Sequence, residues 1–507
     1  MKLCLENKTD RLLGQLSDFI NRQNIDCYLV GGYIRDVLLD YPTQDIDIAL
    51  PHALETAQSL AKVLNGKYVV LDEVNEVARV VFSYPEQDSH WHLDLSTLKG
   101  SIEENLSHRD FTINAMAVNL RELKASHMAD LIDPFGGQKD IEAGLIRVVS
   151  RTAFQDDPAR LLRAVRLAAE CGFTIEEETE ALIQAQCRLI LKVAGERVRE
   201  ELYRLFSIPD SAPFLYYLDR LGLLTSIFSE LEFTKSIDQP FEHYWDVFQH
   251  SLETVAALES LLKLEARKHD PVIDRIPNFR ALMKRLTEVS DNISRSVLLK
   301  LAALLHDIAK PQTRSLEPNG RARFLGHTKE GAEVAGHIMQ RLRFSNRDKR
   351  TVEKIVESHL RPWQMGGDGR PTHRAIYRFF RDTGESSSDI IALALADFLA
   401  TRGPDITLAE WEKHCAMMEY ILSEHEKEEA RIVPSKLIDG HDLINIFGMK
   451  PGPRIGQLLE SVHEAQGIGE VITREEAMAF ARRQIVLLQS ADRQIAGEEE
   501  LAFVAED

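Results

Sequence analysis

Two hydrophobic periodicities divide this chain. Up to about residue 150, apolar positions come in short runs or in alternation with polar ones. Cys27–Val30, Asp45–Leu50, Tyr68–Leu71, Ala78–Phe82 and Trp91–Leu95 read as strands, and Ala53–Leu64 between them reads as a helix. Beyond that point a 3.6-residue repeat takes over, in Ala159–Glu170, Arg197–Phe206, Val247–Leu262, Val297–Ala309, Lys329–Leu342, Ile390–Ala400 and Leu408–Ser423. Strand signals almost vanish there. The pattern predicts an α/β head followed by an all-α remainder, α+β overall. Gly222, Pro240, Gly366-Gly367-Asp368-Gly369 and Gly403-Pro404 punctuate the helical part, and no internal repeat is present.

The densest apolar run, Ile390–Ala396, is shorter than the about 18 residues a membrane helix needs, and it meets Asp397. The opening Met1-Lys2-Leu3-Cys4-Leu5-Glu6 lacks the apolar core of a signal peptide. Five scattered cysteines, none at metal-knuckle spacing, read as reduced thiols, so the expectation is a cytoplasmic protein with no membrane partner. The 507 residues carry a net charge of −19, which by itself disfavours a nucleic-acid partner. The charge is uneven. Arg341–Arg381 holds eleven basic and four acidic residues, a local balance of +7. It also carries Phe344, Trp363, Tyr377, Phe379 and Phe380, and basic residues interleaved with aromatics suit RNA. Within it Arg374, Arg378 and Arg381 are spaced to form one helical stripe. The terminal Ser490–Asp507 has six acids and one arginine and is expected to fray.

Asp45-Ile46-Asp47 lies in the alternating run. On a strand, both carboxylates point to one side. Two close carboxylates repel unless a cation bridges them, and a hard ion such as Mg²⁺ suits oxygen ligands and substrate phosphates. Alone, the motif reads as a surface pair. Upstream, Leu29-Val30-Gly31-Gly32-Tyr33-Ile34-Arg35-Asp36 ends a strand, turns on two glycines and starts a helix, a geometry that lets phosphate approach backbone N–H groups.

With these motifs the chain resembles the class II tRNA nucleotidyltransferase and bacterial poly(A) polymerase family. Further motifs follow in the family's order: His108-Arg109-Asp110-Phe111-Thr112-Ile113-Asn114-Ala115, Asp133-Pro134-Phe135-Gly136-Gly137, Asp156-Asp157-Pro158-Ala159-Arg160 and Glu196-Arg197. The resemblance implies a polymerase-β-like head over 1–150, a helical neck and body over 151–230, an HD domain over 231–405 and a helical tRNA-binding tail over 406–507. It implies that Asp45 and Asp47 hold Mg²⁺. Asp94 is the candidate third carboxylate; a half-exposed strand aspartate is the competing reading. Nucleotide would meet Gly31, Gly32, Arg35, Arg109, Asp110, Asn114, Asp157, Arg160, Arg163 and Arg166. Arg109 would grip the triphosphate and Asp110 the ribose. Asp157 and Arg160, neighbours on one helix face, would read the base edge. The implied partners are tRNA, CTP and ATP.

Three departures from the family pattern matter. His108 replaces an arginine, and Asp156 replaces a glutamate. Only thirteen residues separate Asp94 from His108. Full CCA-adding members carry a longer, flexible loop there, so the short link resembles the CC-adding subclass. Addition of CC only, or of CCA, stays open, with poly(A) synthesis as an alternative.

In the helical half, His306-Asp307 ends an apolar helix. A buried charge there must be paired or metal-bound. The order His250, His306-Asp307, His327, His359, Asp397 resembles the HD phosphohydrolases, which implies a site for Mn, Ni, Co, Fe or Zn and phosphatase or 2′,3′-cyclic phosphodiesterase chemistry at damaged tRNA ends. A hydrolase with a relic head is the other alternative. His243, His269 and His414 are read as structural. Lys450 and Arg454, in a glycine-rich turn resembling the family's tail, are candidate tRNA contacts.

Overall fold

The computed structural model describes residues 2–4, 10–84, 90–122, 128–240, 242–263, 289–290, 293–366, 369–429 and 436–487. His269 and the acidic stretch Ser490–Asp507 lie outside them. The chain divides into two compact units, Met1–Ser229 and Glu230–Asp507. No helix among the described residues is long and apolar enough to cross a membrane.

The first unit is built on an eight-stranded sheet: β1 (Lys2–Cys4), β2 (Tyr28–Val30), β3 (Asp45–Leu50), β4 (Lys67–Asp72), β5 (Val77–Ser83), β6 (His90–Thr97), β7 (Ala117–Asn119) and β8 (Met128–Ile132). Their order is β1-β8-β7-β2-β3-β6-β5-β4, and β3 and β6 run parallel while the other neighbours are antiparallel. The five strands expected from the sequence form most of it. β1, β7 and β8 were not anticipated: Ala117–Asn119 is only three residues long, too short for an alternation to register.

Alternation decides the two faces. Ile46, Ile48, Leu93, Leu95, Ala78 and Val80 are buried on one face, in a cluster with Leu12, Leu16, Ala57 and Leu60 of helices Asp10–Gln23 and Ala53–Val63. Shortening one such buried leucine to alanine costs about 2–5 kcal/mol. The opposite face carries polar side chains in register. Val30 stands opposite Asp47, Asp47 beside Asp94, and Asp94 opposite Arg79.

The second unit is mainly helical. Helices Val247–Leu262, Arg295–Leu305, His327–Arg341, Asn346–Ser358 and Ser387–Arg402 pack together. Helix Ser387–Arg402 is buried nearly all round, and Ile390, Ile391, Leu393 and Leu395 are inaccessible. The helix expected over Val297–Ala309 stops at Leu305, and a turn follows through His306–Ala309. Two short strands, Arg314–Leu316 and Ala322–Phe324, form a hairpin the sequence did not announce. Ile438, Leu443, Leu458, Val462 and Phe480 form a separate small core near the end of the described chain.

Candidate active sites

In the first unit, a cavity of about 500 Å³ lies over the polar face of the sheet. β3 supplies Asp45, which is exposed, and Asp47, which is half-buried; β6 supplies Asp94 between β3 and β5. Gly31 adopts φ +74°, and a Cβ there would lie 2.5 Å from Arg109 and 2.6 Å from Asp47. Only glycine fits that turn without displacing both groups. Gly32 N–H donates to Asp47 Oδ2 at 3.2 Å, so the glycine turn supports a carboxylate as well as opening the backbone. Burial pushes the Asp47 carboxyl up, with Asp94 and Asp45 adding to it against Arg109 and the Gly32 N–H. Three oxygen donors that resist sharing one space without a counter-charge fit hard divalent cations.

Two partners of these carboxylates were not foreseen. Arg79 grips Asp94 with two hydrogen bonds of 2.7 Å. His92 Nδ1 lies 2.9 Å from Asp45 Oδ1. The signal for Arg79 was available: it is a charge at an in-phase position of the otherwise apolar Val77–Ser83.

Of the nucleotide candidates, Gly32, Arg35, Arg109, Asp110, Asn114, Arg163 and Arg166 line the same cavity, while Gly31, Asp157 and Arg160 do not. Arg35 donates to Asp36 at 2.6 and 2.8 Å and to Asn114 Oδ1 at 2.8 Å. Asn114 Nδ2 donates to Asp110 at 3.1 Å, and Arg163 reaches the same carboxylate at 3.2 Å. Burial raises the Asp110 carboxyl, but Arg163, Asn114 and the Phe111 N–H outweigh it and hold it below the ordinary range. Asp133 accepts from Gly137 N–H at 2.7 Å, and a Cβ on Gly137 would come within 2.2 Å of the Thr112 carbonyl. The Asp133–Gly137 motif therefore braces the Thr112–Asn114 turn rather than touching the cavity.

Asp157 and Arg160 require a correction. They do not share a helix face. Asp157 is extended, in the break between Ala153–Asp156 and Arg160–Cys171, because Pro158 follows it. Arg197 of the Glu196-Arg197 motif takes the Asp157 carboxylate bidentately at 2.8 and 2.9 Å. Arg160 donates to the carbonyls of His108 (2.7 Å), Ala153 (3.3 Å) and Arg109 (3.4 Å), while its Nε lies 4.0 Å from Asp157. Arg166 is buried against Glu201 and Glu170. Glu201, also buried, takes Arg163 on its other oxygen at 2.9 Å, and lies outside the motifs legible in the sequence.

In the second unit six side chains converge. His250 Nε2 lies 3.2 Å from His306 Nε2 and 3.0 Å from Asp397 Oδ1. His306 Nε2 is 3.1 Å from Asp307 Oδ2, and His327 and His359 Nε2 are 3.4 and 3.9 Å from Asp307 Oδ1. Three of the imidazoles are set alike. His306, His327 and His359 each present Nδ1 to the carbonyl three residues back, Ala303, Phe324 and Val356, at 2.8, 2.6 and 2.7 Å. That bond places the proton on Nδ1 and aims the Nε2 lone pair at the cluster. Burial pushes His359 down to about 3, which keeps it in the neutral, ligating form. Asp307 Oδ1 and His327 Nε2 are buried without a hydrogen-bond partner. A mixed set of imidazole and carboxylate donors with orphaned atoms aimed inward fits a transition metal. Lys310 Nζ, 2.6 Å from both Asp307 and Gln239, was not foreseen.

The basic stripe is turned inward. Arg374, Arg378 and Arg381 share a face of helix His373–Thr383, as their spacing implies. That face meets helix Pro453–Gly467, where Arg378 forms two bonds of 2.6 Å to the buried Glu464 and Arg381 reaches it at 3.2 Å. Arg374 pairs with Glu470 at 3.0 Å. Much of the local charge is thus neutralised within the unit. Lys450 and Arg454 flank Gly452, at the start of helix Pro453–Gly467.

Comparison with known proteins agrees with this layout. Family models match the "Poly A polymerase head domain" over residues 27–147, the "Probable RNA and SrmB-binding site of polymerase A" over 172–234, and the "HD domain" over 247–402. The chain is 33% identical to the A-adding tRNA nucleotidyltransferase of Deinococcus radiodurans over 462 residues, covering 90% of this chain and 94% of that protein. It is 31% identical to the CC-adding tRNA nucleotidyltransferase of Thermus thermophilus over 466 residues, covering 90% and 93%. The fold is similar to that of a CCA-adding enzyme solved with ATP, at a TM-score of 0.63 and 21% identity, covering 95% of this chain and 96% of that one. Nucleotidyltransferase heads and HD domains both work with divalent metal ions. By its full-length relatives and its three matched segments, this chain is an enzyme belonging to the tRNA nucleotidyltransferase family.

Proposed function

We propose that this chain adds C residues to the 3′ end of tRNA, taking CMP from CTP and releasing pyrophosphate. Its head would span residues 1–150, its neck and body 151–230, its HD domain 231–405 and its tail 406–507. The observation that carries the transferase reading is the row of Asp45, Asp47 and Asp94 on adjacent parallel strands, facing one cavity with Arg109 and Asp110. In such a reaction the RNA 3′-oxygen attacks the α-phosphorus and the bond to pyrophosphate breaks. Mg²⁺ held by the three carboxylates would supply charge neutralisation at the attacking and leaving oxygens. The chain's own groups do the rest: the Gly32 N–H and Arg109 hold Asp47 in place, and Arg163 and Asn114 keep Asp110 anionic and ready to accept a ribose hydroxyl. Arg197, rather than Arg160, is the cation that sets Asp157 toward a base.

Identity alone does not choose the base, since relatives named for A addition and for C addition stand at 33% and 31%. The link between Asp94 and His108 supports C. β6 runs to Thr97 and helix Ile102–Ser107 begins almost at once, leaving little chain for a mobile loop. The test uses purified protein, tRNA transcripts ending at the discriminator base, at C or at CC, and each nucleoside triphosphate alone. CTP is expected to extend the first two transcripts to CC, with no A added to the third. A added to the CC end without C addition would overturn the choice of base, and long A tails on arbitrary RNA would favour poly(A) synthesis.

The second reading concerns the HD cluster. Its six donors and fixed tautomers support a metal-dependent phosphohydrolase acting on phosphate esters at RNA ends. A bound transition metal would supply an activated water. Lys310, whose Nζ lies 2.6 Å from Asp307 Oδ2, would stand beside the phosphate. Release of phosphate from a 3′-phosphorylated tRNA, lost in His306→Ala, tests it.

A further inference from the structure

The cavity at the HD cluster is larger than its reaction needs. It encloses about 610 Å³, far more than a metal and a phosphoryl group fill, and lies in the range of pockets that enclose whole small molecules. Its walls are of two kinds. One side is His327, His359, Asp307 and Asp397. The other is an aromatic ladder. Phe398 and His414 stack at 4.1 Å and 4°, Trp411 lies behind them, and Trp363 lies in front, 5.2 Å from His414 and 6.0 Å from Phe398. Trp411 is 1% exposed, whereas Trp363, at the cavity end of the ladder, is 52% exposed. A large indole left half in water costs apolar burial unless something covers it.

The charges at the rim do not explain the cavity. Arg321, Arg323 and Arg402 are paired with Glu242, Glu317 and Glu410. His414, within the ladder, is itself held from behind. His414 is 3% exposed, donates through Nε2 to the Ala394 carbonyl at 3.2 Å, and leaves Nδ1 without a partner. Burial pushes this imidazole down to about 4, so Nδ1 is an unprotonated acceptor. An aromatic platform at a phosphate-sized metal cluster matches a nucleobase, which offers a π-face.

We propose that this cavity is a base-binding subsite: Trp363 stacks on the nucleobase of a nucleoside phosphate whose phosphate sits at the histidine–aspartate cluster. Trp363 is then a specificity residue of the hydrolase site, and the inference rests on the hydrolase reading above. It separates substrates by base and leaves the phosphate chemistry to the metal cluster.

The test uses the full chain loaded with Mn²⁺. Two substrates are compared, adenosine 2′,3′-cyclic phosphate and the base-free methyl riboside 2′,3′-cyclic phosphate. Trp363→Ala is expected to raise KM for the nucleotide about tenfold or more, with kcat little changed, and to leave the base-free ester unaffected. Trp363→Phe, which keeps a π-face, should recover most of the loss. Equal loss on both substrates, or no loss on either, overturns the proposal. A binding measurement separates it from the hydrolase reading. Adenosine 2′-phosphate should quench the indole fluorescence of the wild type and not of Trp363→Phe, even where neither substrate is turned over. Equal quenching in both removes the subsite.

Discussion

The two centres of this protein use aspartate in opposite ways. In the head, Asp45 and Asp94 sit on an open sheet face, reached by water and held by His92 and Arg79. In the HD cluster, Asp307 is 2% exposed and the imidazoles of His250 and His306 are fully buried. There His306 and His359 are held before any ligand arrives, by backbone carbonyls one helical turn away. The lesson is that burial goes with imidazole donors and exposure with carboxylates alone. An open face with oxygen donors suits a hydrated ion shared with phosphates, and a buried set mixing imidazole with carboxylate suits a firmly held transition metal.

The sharpest break of this comparison is reciprocal. Asp47→Ala should lower nucleotide incorporation by on the order of a thousandfold and leave phosphate release intact; His306→Ala should do the reverse. Loss of both activities in either variant would mean that the centres are not independent. Metal removal sharpens the same contrast. After chelation, Mg²⁺ alone is expected to restore incorporation in a primer-extension assay, while phosphate release should return with a transition metal among Mn²⁺, Ni²⁺, Co²⁺, Fe²⁺ and Zn²⁺.

Acid should separate the units by stability. His414 has a folded value of about 4 against an ordinary 6.5. The unfolded chain therefore binds the extra proton between those values. The contribution is complete above pH 6.5 and is lost as pH falls toward 4, by about 3 kcal/mol. Urea unfolding of the metal-free protein at pH 7 and pH 5 should show it, and His414→Phe should reduce the slope, with buried His243 and His359 supplying the remainder.

Smaller effects follow from single partners. Arg79→Ala releases Asp94, and incorporation is expected to fall about tenfold in kcat, with Arg79→Lys intermediate because lysine cannot make the two-pronged contact. An unchanged kcat would make Arg79 a bystander. The smallest effect is expected at Arg378. Its guanidinium is spent on Glu464, so Arg378→Ala should change tRNA affinity less than about twofold, while Lys450→Ala should weaken it and reduce its salt dependence.

Much of the head was legible because strand alternation is local. Asp45–Leu50 was placed to the residue, and so was helix Val247–Leu262. The order of family motifs pointed to both centres. What was not legible depended on partners distant in sequence. Asp157 and Arg160 look like helix neighbours by spacing, yet Pro158 breaks the helix and Arg197, forty residues on, takes the carboxylate. The arginine stripe was correctly spaced, but no local signal announced Glu464. The same holds for Trp363, whose exposure is a fact of packing.

By itself the sequence determined periodicity, the type of chemistry and its order along the chain, since these depend on side-chain identity and on spacing within a turn or a strand. Tertiary structure decided which charge meets which. The β3–β6–β5 register sets Asp47, Asp94 and Arg79 in one row, and helix packing closes His250, His306 and Asp397 to within about 4 Å. A pair energy falls with distance and rises with burial, and both are properties of the folded chain.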